Sequence, residues 1–129
     1  MKPFGRHLIL ELAECKIDLN NINKIKKILL QAVKISNAKI EKVISKKFYP
    51  QGFSLIYVLS ESHLSIHVYP EENYCQLDFF TCGKKANPFK CLFFLKNYFE
   101  SKKYKYKKII RGRINKNIFI KNLLSKRRV

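Results

Sequence analysis

Three short apolar segments joined by tight connections constrain the fold of this chain more than any other feature. They span residues 53–60, 64–69 and 74–81 and are rich in the β-branched and aromatic side chains typical of strands. Residues 50–52 (Pro-Gln-Gly) precede the first segment, and residues 70–73 (Pro-Glu-Glu-Asn) separate the second from the third; both have the composition of turns. Connections this short favour antiparallel pairing, so the sequence predicts an antiparallel sheet.

The other predicted elements flank this central unit. Further strands are predicted at residues 7–13, 39–49 and 104–111. Capping side chains and helical spacing of apolar residues predict one helix from about residue 22 to Asn37, and a second begins at Asn87-Pro88. The order β-α-β-β-β-β-α-β predicts an α+β fold, a two-layer α/β sandwich with both helices on one face of an antiparallel sheet. The uncovered face needs a partner, so dimerisation is physically reasonable.

The net charge of +18 is concentrated at one end of the chain. Residues 101–129 hold twelve of the 27 Lys and Arg residues and none of the nine Asp and Glu residues. We therefore expect one core domain at residues 1–112 and a basic C-terminal tail at 113–129, which could form a short helix or a floppy tail. A solvated tail and a bias in composition explain this charge better than specific nucleic-acid binding, while weak attraction to RNA or anionic lipid stays open.

Neither a membrane function nor a metal function is supported by the sequence. No apolar run approaches the roughly 20 residues that span a bilayer, and the N-terminal segment lacks the apolar region of a signal peptide. The four cysteines, at positions 15, 75, 82 and 91, show neither CxxC spacing nor clustering with histidine. We expect free thiols, no bound metal and a cytoplasmic location.

Reactive side chains interrupt two of the apolar segments. Ser62 and His63 come just before segment 64–69, His67 lies within it, and Cys82 directly follows segment 74–81. Each has an ordinary explanation, because serine is common at turns, histidine is often merely packed and cysteine is often buried. A Gly-x-Ser-x-Gly elbow is missing, and two histidines are too few for a metal site. As a group, however, such polar residues among apolar strands cost free energy unless they are paired or used, so this is where chemistry is expected.

Five motifs in a fixed order carry a resemblance to a known family. They are Gly5-Arg6-His7, Pro50-Gln51-Gly52-x-Ser54, Glu61-Ser62-His63-Leu64-Ser65-Ile66-His67, Pro70-Glu71 and Phe80-Thr81-Cys82-Gly83. This set resembles the prokaryotic S-adenosylmethionine decarboxylase proenzymes, the self-cleaving pyruvoyl enzymes of polyamine synthesis. The resemblance covers roughly residues 4–112, nearly the whole predicted core.

The resemblance implies that the chain cuts itself between Glu61 and Ser62. The Ser62 hydroxyl attacks the Glu61 carbonyl, and elimination and hydrolysis then convert Ser62 into a covalent pyruvoyl group. His67 matches the proton acceptor of this processing, and Ser54 matches a helper that hydrogen-bonds the rearranging carbonyl. The mature enzyme is expected to contain a β chain of residues 1–61 and an α chain from residue 62, with neither metal nor pyridoxal phosphate.

The implied reaction is decarboxylation of S-adenosyl-L-methionine to the aminopropyl donor for spermidine synthesis. The resemblance assigns Cys82 as proton donor, a role that suits a thiol held close to the carbon that is reprotonated. Phe48 and Tyr69 match positions that stack on adenine, with core packing as an equally expected alternative, and Glu71 matches a carboxylate for the ribose hydroxyls. The resemblance also implies a homodimer of cleaved protomers with each active site near the interface.

Two alternatives and one geometric problem remain open. Tyr69 stands where many relatives have tryptophan, so a pyruvoyl-dependent arginine or ornithine decarboxylase of the same family is the second interpretation. An inactive homologue acting as a basic binding module is the third, although the joint presence of Ser62, His67 and Cys82 argues against it. Because Ser62 and His67 are five positions apart, an unbroken strand would place them on opposite faces, and a bulge or the cleaved end must bring them together.

Overall fold

The computed structural model describes residues 4–112, and the tail predicted at 113–129 lies outside the described residues. The described elements follow the predicted order of strands and helices. They are β1 (Gly5–Cys15), α1 (Ile22–Ile35), β2 (Ile40–Lys47), β3 (Phe53–Leu59), β4 (His63–Tyr69), β5 (Tyr74–Cys82), α2 (Leu92–Tyr98) and β6 (Ser101–Arg111), with 3-10 turns at Pro70–Glu72 and Pro88–Cys91.

The six described strands form one antiparallel sheet in the order β2-β3-β4-β5-β1-β6. The first strand in the chain therefore lies between the last two. Since β1 pairs along both of its edges, its ladder extends two residues beyond the prediction at each end, and β6 begins at Ser101 instead of Tyr104. Pro88 starts a 3-10 turn before α2, which shortens the second α-helix relative to the prediction.

The core lies between the sheet and the two helices. One register row, made of Leu55, Ile66, Leu77 and Leu10, crosses four neighbouring strands, and each of these side chains is buried. Onto this face α1 packs five buried residues and α2 packs two, which are Ile25, Ile28, Leu29, Ala32, Val33, Leu92 and Leu95. Fully burying one such large aliphatic side chain stabilises the fold by roughly 1.5–3 kcal/mol. This layer packs the sheet against the helices and fixes which residues point away from them.

The opposite side of the sheet, called here the open face, has no helix among the described residues, as predicted. The alternation of the strands places His7, Glu11, Ser54, His67 and Asp78 on this face, together with apolar residues. Ile56 and Val58 are each 39% exposed there, beside the exposed Ile44 of β2. The open face thus combines reactive polar groups with apolar surface. None of the helices within residues 4–112 is long and apolar enough to cross a bilayer.

Candidate active site

The residues that the sequence singled out lie in two clusters at opposite ends of β3 and β4. The Ser62 cluster contains Glu61, Ser62 and Cys82, and the His67 cluster contains Phe48, Ser54, His67, Tyr69 and Glu71. Strand β4 runs between them from His63 to Tyr69. At about 3.3 Å per residue, its length separates Ser62 from Glu71 by roughly 20 Å or more.

The Ser62 cluster lines a cavity of about 380 Å³. Three connections build its wall, namely the one after α1, the one between β3 and β4, and the one after β5. The Leu59 amide donates a hydrogen bond to the Ser62 carbonyl at 2.9 Å, and the Ser60 amide donates to the Lys39 carbonyl at 3.0 Å. These two bonds fix both sides of the Glu61–Ser62 peptide bond in a turn that opens into the cavity.

Cys82 reaches the same cavity from the end of β5. All four cysteines lie within the described residues, and the other three are buried while Cys82 is half-exposed. Burial raises the pKa of the Cys82 thiol, the negative charge of Glu61 raises it further, and Arg111 partly opposes these effects. A raised pKa keeps the thiol protonated at neutral pH, which is the state that a proton donor requires.

Gly5 allows β1 to approach β5 closely beside Cys82. Gly5 and Cys82 are partners in the β1–β5 register, and Phe80 lies on the same face of β5 as Cys82. A Cβ atom at position 5 would lie 2.6 Å from Cε1 of Phe80 and 2.9 Å from the carbonyl oxygen of Thr81. The Arg111 guanidinium also stacks over the Phe80 ring, 4.6 Å from its centroid. The missing side chain of Gly5 thus lets the Phe80 ring lie next to the strand end that carries Cys82.

Ser54 and His67 form the centre of the second cluster. They are direct partners in the β3–β4 register, and the Ser54 hydroxyl is hydrogen-bonded to Nδ1 of His67 at 2.5 Å. Ser54 is 8% exposed, while His67 is half-buried and borders the open face. This hydrogen bond fixes the orientation of the imidazole and leaves its second nitrogen for another partner.

The three predicted substrate-binding residues surround the same strand ends. The Phe48 amide donates to the Gly52 carbonyl at 2.8 Å, and Glu71 is exposed in the 3-10 turn after β4. Tyr69 stacks on Tyr74, with ring centroids 6.0 Å apart and an interplanar angle of 27°. Neither Phe48 nor Tyr69 belongs to the buried core. Tyr74, which the sequence analysis did not select, therefore extends the aromatic surface at this end.

Within the chain, the two clusters are not joined. The β3–β4 register runs from Phe53 opposite Val68 to Val58 opposite His63 without a shift, so this ladder lacks the bulge that was one of the two arrangements considered from the sequence. Ser62 lies in the turn that precedes β4, and His67 lies four residues beyond His63 along a regular strand. Any reaction that needs both side chains requires either a large movement or a second molecule.

The sequence analysis assigned no role to His7 or Asp78, which both lie on the open face. His7 is hydrogen-bonded through Nε2 to Oδ1 of Asp78, and Nε2 of His63 lies 3.6 Å from the same oxygen. The Phe80 ring contacts both imidazoles, with centroid distances of 5.5 Å to His7 and 5.8 Å to His63. The signal available in the sequence was the strand period of two, which puts all four residues on one face. Within residues 4–112, no group of three or more potential ligands is arranged to hold a metal ion.

Comparison with known proteins gives a consistent result. The family model described as S-adenosylmethionine decarboxylase matches residues 6–112. A protein of Pelotomaculum thermopropionicum named S-adenosylmethionine decarboxylase proenzyme is 40% identical over 113 residues, covering 87% of this chain and 90% of its own length. One of the same name from Acetivibrio thermocellus is 38% identical over 124 residues, covering 95% of this chain and all of its own length. The crystal structure of the adenosylmethionine decarboxylase from Aquifex aeolicus has the same fold, with a TM-score of 0.75, 24% identity and coverage of 90% of this chain and 97% of that one.

Proposed function

This chain belongs to the S-adenosylmethionine decarboxylase family, and from that premise we propose that it is a self-cleaving, pyruvoyl-dependent decarboxylase of S-adenosyl-L-methionine. Its product would be the aminopropyl donor of polyamine synthesis. The observation that carries the proposal is the cavity that Glu61, Ser62 and Cys82 line together. The peptide bond that precedes Ser62 and a thiol whose pKa is raised border this one cavity, which supports the proposal.

Self-cleavage begins with the Ser62 hydroxyl. Its oxygen attacks the carbonyl carbon of Glu61, and the amide becomes an ester as the Ser62 nitrogen leaves that carbon and takes up a proton. A base then removes the α-hydrogen of Ser62, and the ester carboxylate leaves as the new C-terminus at Glu61. Hydrolysis of the resulting unsaturated residue releases ammonia and leaves a pyruvoyl group at position 62. The turn that holds Glu61 and Ser62 supports this chemistry because both sides of the bond are fixed by main-chain hydrogen bonds.

In the decarboxylation, the pyruvoyl group supplies the electron-withdrawing carbonyl that a decarboxylase needs. The residues around it bind and protonate. Cys82 delivers a proton to the substrate carbon after carbon dioxide has left, a role that its protonated thiol supports. Phe48 and Tyr69 provide rings for the adenine, and Glu71 provides a carboxylate for the ribose hydroxyls. Their support is their exposure and their grouping at one end of β4.

We infer that a second copy of the chain completes each active site. The separation of the Ser62 cluster from the His67 cluster supports this, because His67 cannot act on Ser62 of its own protomer across four further residues of regular strand. Two copies whose open faces meet with opposed strand directions place the His67 cluster of one copy against the Ser62 cluster of the other. Twofold symmetry then produces two such sites. The exposed apolar residues Ile44, Ile56 and Val58 supply surface for this contact.

Co-expression of two inactive variants tests the shared site. A Ser62→Ala chain cannot be cleaved but keeps its His67 cluster, and a His67→Ala chain keeps its own Ser62. We expect each variant alone to stay intact on a denaturing gel, and the His67→Ala chain to be cleaved when both are present. Failure of cleavage in a mixture shown to contain the heterodimer would refute the shared site.

A carbon dioxide release assay tests the activity itself. Wild-type protein should separate into fragments of residues 1–61 and 62–129, and the fragments purified together should release carbon dioxide from S-adenosyl-L-methionine. Arginine and ornithine are the competing substrates to include, with the intact Ser62→Ala protein as the negative control. Release from an amino acid alone would overturn the substrate, and an intact wild-type chain would favour the binding-module alternative. A cytoplasmic location and a separate role for residues 113–129 remain predictions.

A further inference from the structure

The second residue after the proposed cleavage bond, His63, has an unusual set of contacts. His63 begins β4, and its imidazole lies on the open face with Nε2 3.6 Å from Oδ1 of Asp78. The same oxygen is hydrogen-bonded by His7, which is mostly buried in the central strand β1. Phe80 pairs with both histidines in the sheet register, so its ring fills the space between them. Asp78 is therefore held by one histidine and faces the other.

Cleavage removes the covalent connection between the end of β3 and the start of β4. In the intact chain, the turn at residues 60–62 joins β3 to β4 covalently and keeps their ends together. Once the Glu61–Ser62 bond is cut, residue 62 becomes a chain terminus, and termini fray unless they are tied down. The Leu59 amide still donates to the residue 62 carbonyl, but the β3–β4 and β4–β5 ladders end one residue later, at the pairs Val58–His63 and His63–Phe80. The group that must meet the substrate is attached to this end.

Building on the proposed self-cleavage, we propose that Asp78 is a positioning residue that holds His63 and thereby fixes the new terminus at position 62 beside Cys82. His7 orients the carboxylate from the central strand, where β5 and β6 flank it on both sides. The His63 imidazole then adds a side-chain contact to the main-chain pairing of His63 with Phe80, and this contact does not depend on the turn. Asp78 lies outside the core between the sheet and the helices, so packing against the helices does not account for its place between two imidazoles.

The isosteric variant Asp78→Asn separates this role from a general effect on folding. It should leave the rate of self-cleavage within about twofold of wild type, because the intact turn still holds the precursor. It should lower kcat of the processed enzyme about tenfold with KM changed less than twofold, because a displacement on the order of 1 Å at a reacting group can cost up to about 100-fold in rate. Cleavage is followed on denaturing gels and turnover by carbon dioxide release.

Hydrogen exchange provides a readout that does not depend on activity. In processed protein, the amides of residues 63–66 should exchange at least tenfold faster in Asp78→Asn than in wild type. In the uncleavable Ser62→Ala background, the same substitution should change their exchange less than twofold. The matched control is Glu14→Gln, which removes another half-exposed carboxylate, one paired with Lys103 at 3.3 Å at the far end of β1. It should behave as wild type in all three measurements.

A second variant covers the case in which Asp78→Asn folds poorly. His63→Gln should produce the same division between normal cleavage and slow turnover, and the double variant should be no worse than either single one if both act through one contact. Equal slowing of cleavage and turnover, or additive losses in the double variant, would assign Asp78 a merely structural role. If the variants turn over as fast as wild type, the positioning role of Asp78 is overturned and the proposed function is not. If wild-type protein neither cleaves itself nor releases carbon dioxide, the proposed function is overturned as well.

Discussion

Replacing Gly5 with alanine tests how close β1 and β5 must be beside Cys82. The added Cβ would lie 2.6 Å and 2.8 Å from two atoms of the Phe80 ring, which can rotate aside. It would also lie 2.9 Å from the Thr81 carbonyl oxygen, which belongs to a fully buried residue in a central strand. Ordinary contact begins at 3.4 Å, so the strands must separate by about half an ångström.

Such overpacking costs typically 1–3 kcal/mol, and we expect Gly5→Ala to lower the free energy of unfolding by about 2 kcal/mol. For a domain of this size, that corresponds to a fall in Tm of roughly 8 °C. Thermal unfolding followed by circular dichroism measures it, in the Ser62→Ala background so that the chain stays intact. Turnover of the processed Gly5→Ala enzyme should fall as well, because the displaced Thr81 precedes Cys82.

The double variant Gly5→Ala/Phe80→Leu separates the two contacts. A smaller, flexible side chain at position 80 relieves the clash with the ring but not the clash with the Thr81 carbonyl, so stability should recover only in part. Full recovery would mean that the ring alone limits the approach of the strands. A Tm within 2 °C of the reference for Gly5→Ala itself would refute the reasoning.

Three other measurements follow from the described contacts. Ser101→Ala should lower the free energy of unfolding by about 1 kcal/mol, because the buried hydroxyl donates to the Ala13 carbonyl at 2.7 Å, and Ser101→Thr should recover most of it. Cys82→Ala should permit normal cleavage on a gel yet abolish carbon dioxide release, and turnover by this variant would exclude the thiol as proton donor. The rate of Cys82 alkylation against pH should report a pKa above the roughly 8.5 of a free thiol, since burial and Glu61 raise it. Glu61→Gln removes the raising charge, so it should move that curve to lower pH, and a shift to higher pH would contradict the assignment.

The strands and helices could be predicted because each carries a local signal in its composition, spacing or flanking turns. The β-branched and aromatic composition of β3, β4 and β5 predicted three strands, and the short connections between them predicted antiparallel pairing. The ends of β1 and β6 were harder to place, since their lengths depend on pairing between segments that are distant in the chain. Period and turn chemistry are local properties, whereas the ends of a ladder are not.

The candidate site could be predicted residue by residue but not as an arrangement. Ser62 and His67 are close in sequence, and the straight register of β4 keeps them apart. His7 and Asp78 are separated by 71 positions and meet because β1 pairs with β5. No local pattern encodes that meeting, so the contact that we assign to positioning became visible with the topology.

The strand order has a further consequence for the processed molecule. A cut between Glu61 and Ser62 assigns β1, β2 and β3 to one fragment and β4, β5 and β6 to the other. Strand β1 of the first fragment then lies between β5 and β6 of the second. The two fragments cannot part without breaking three ladders, so they remain a single unit after the cut. Folding of the precursor is unimolecular, but reassembly of the unfolded fragments is bimolecular and depends on their concentration. The chain therefore has to fold before it cuts itself. When a processed molecule unfolds in dilute solution, its two fragments separate and do not readily reassemble.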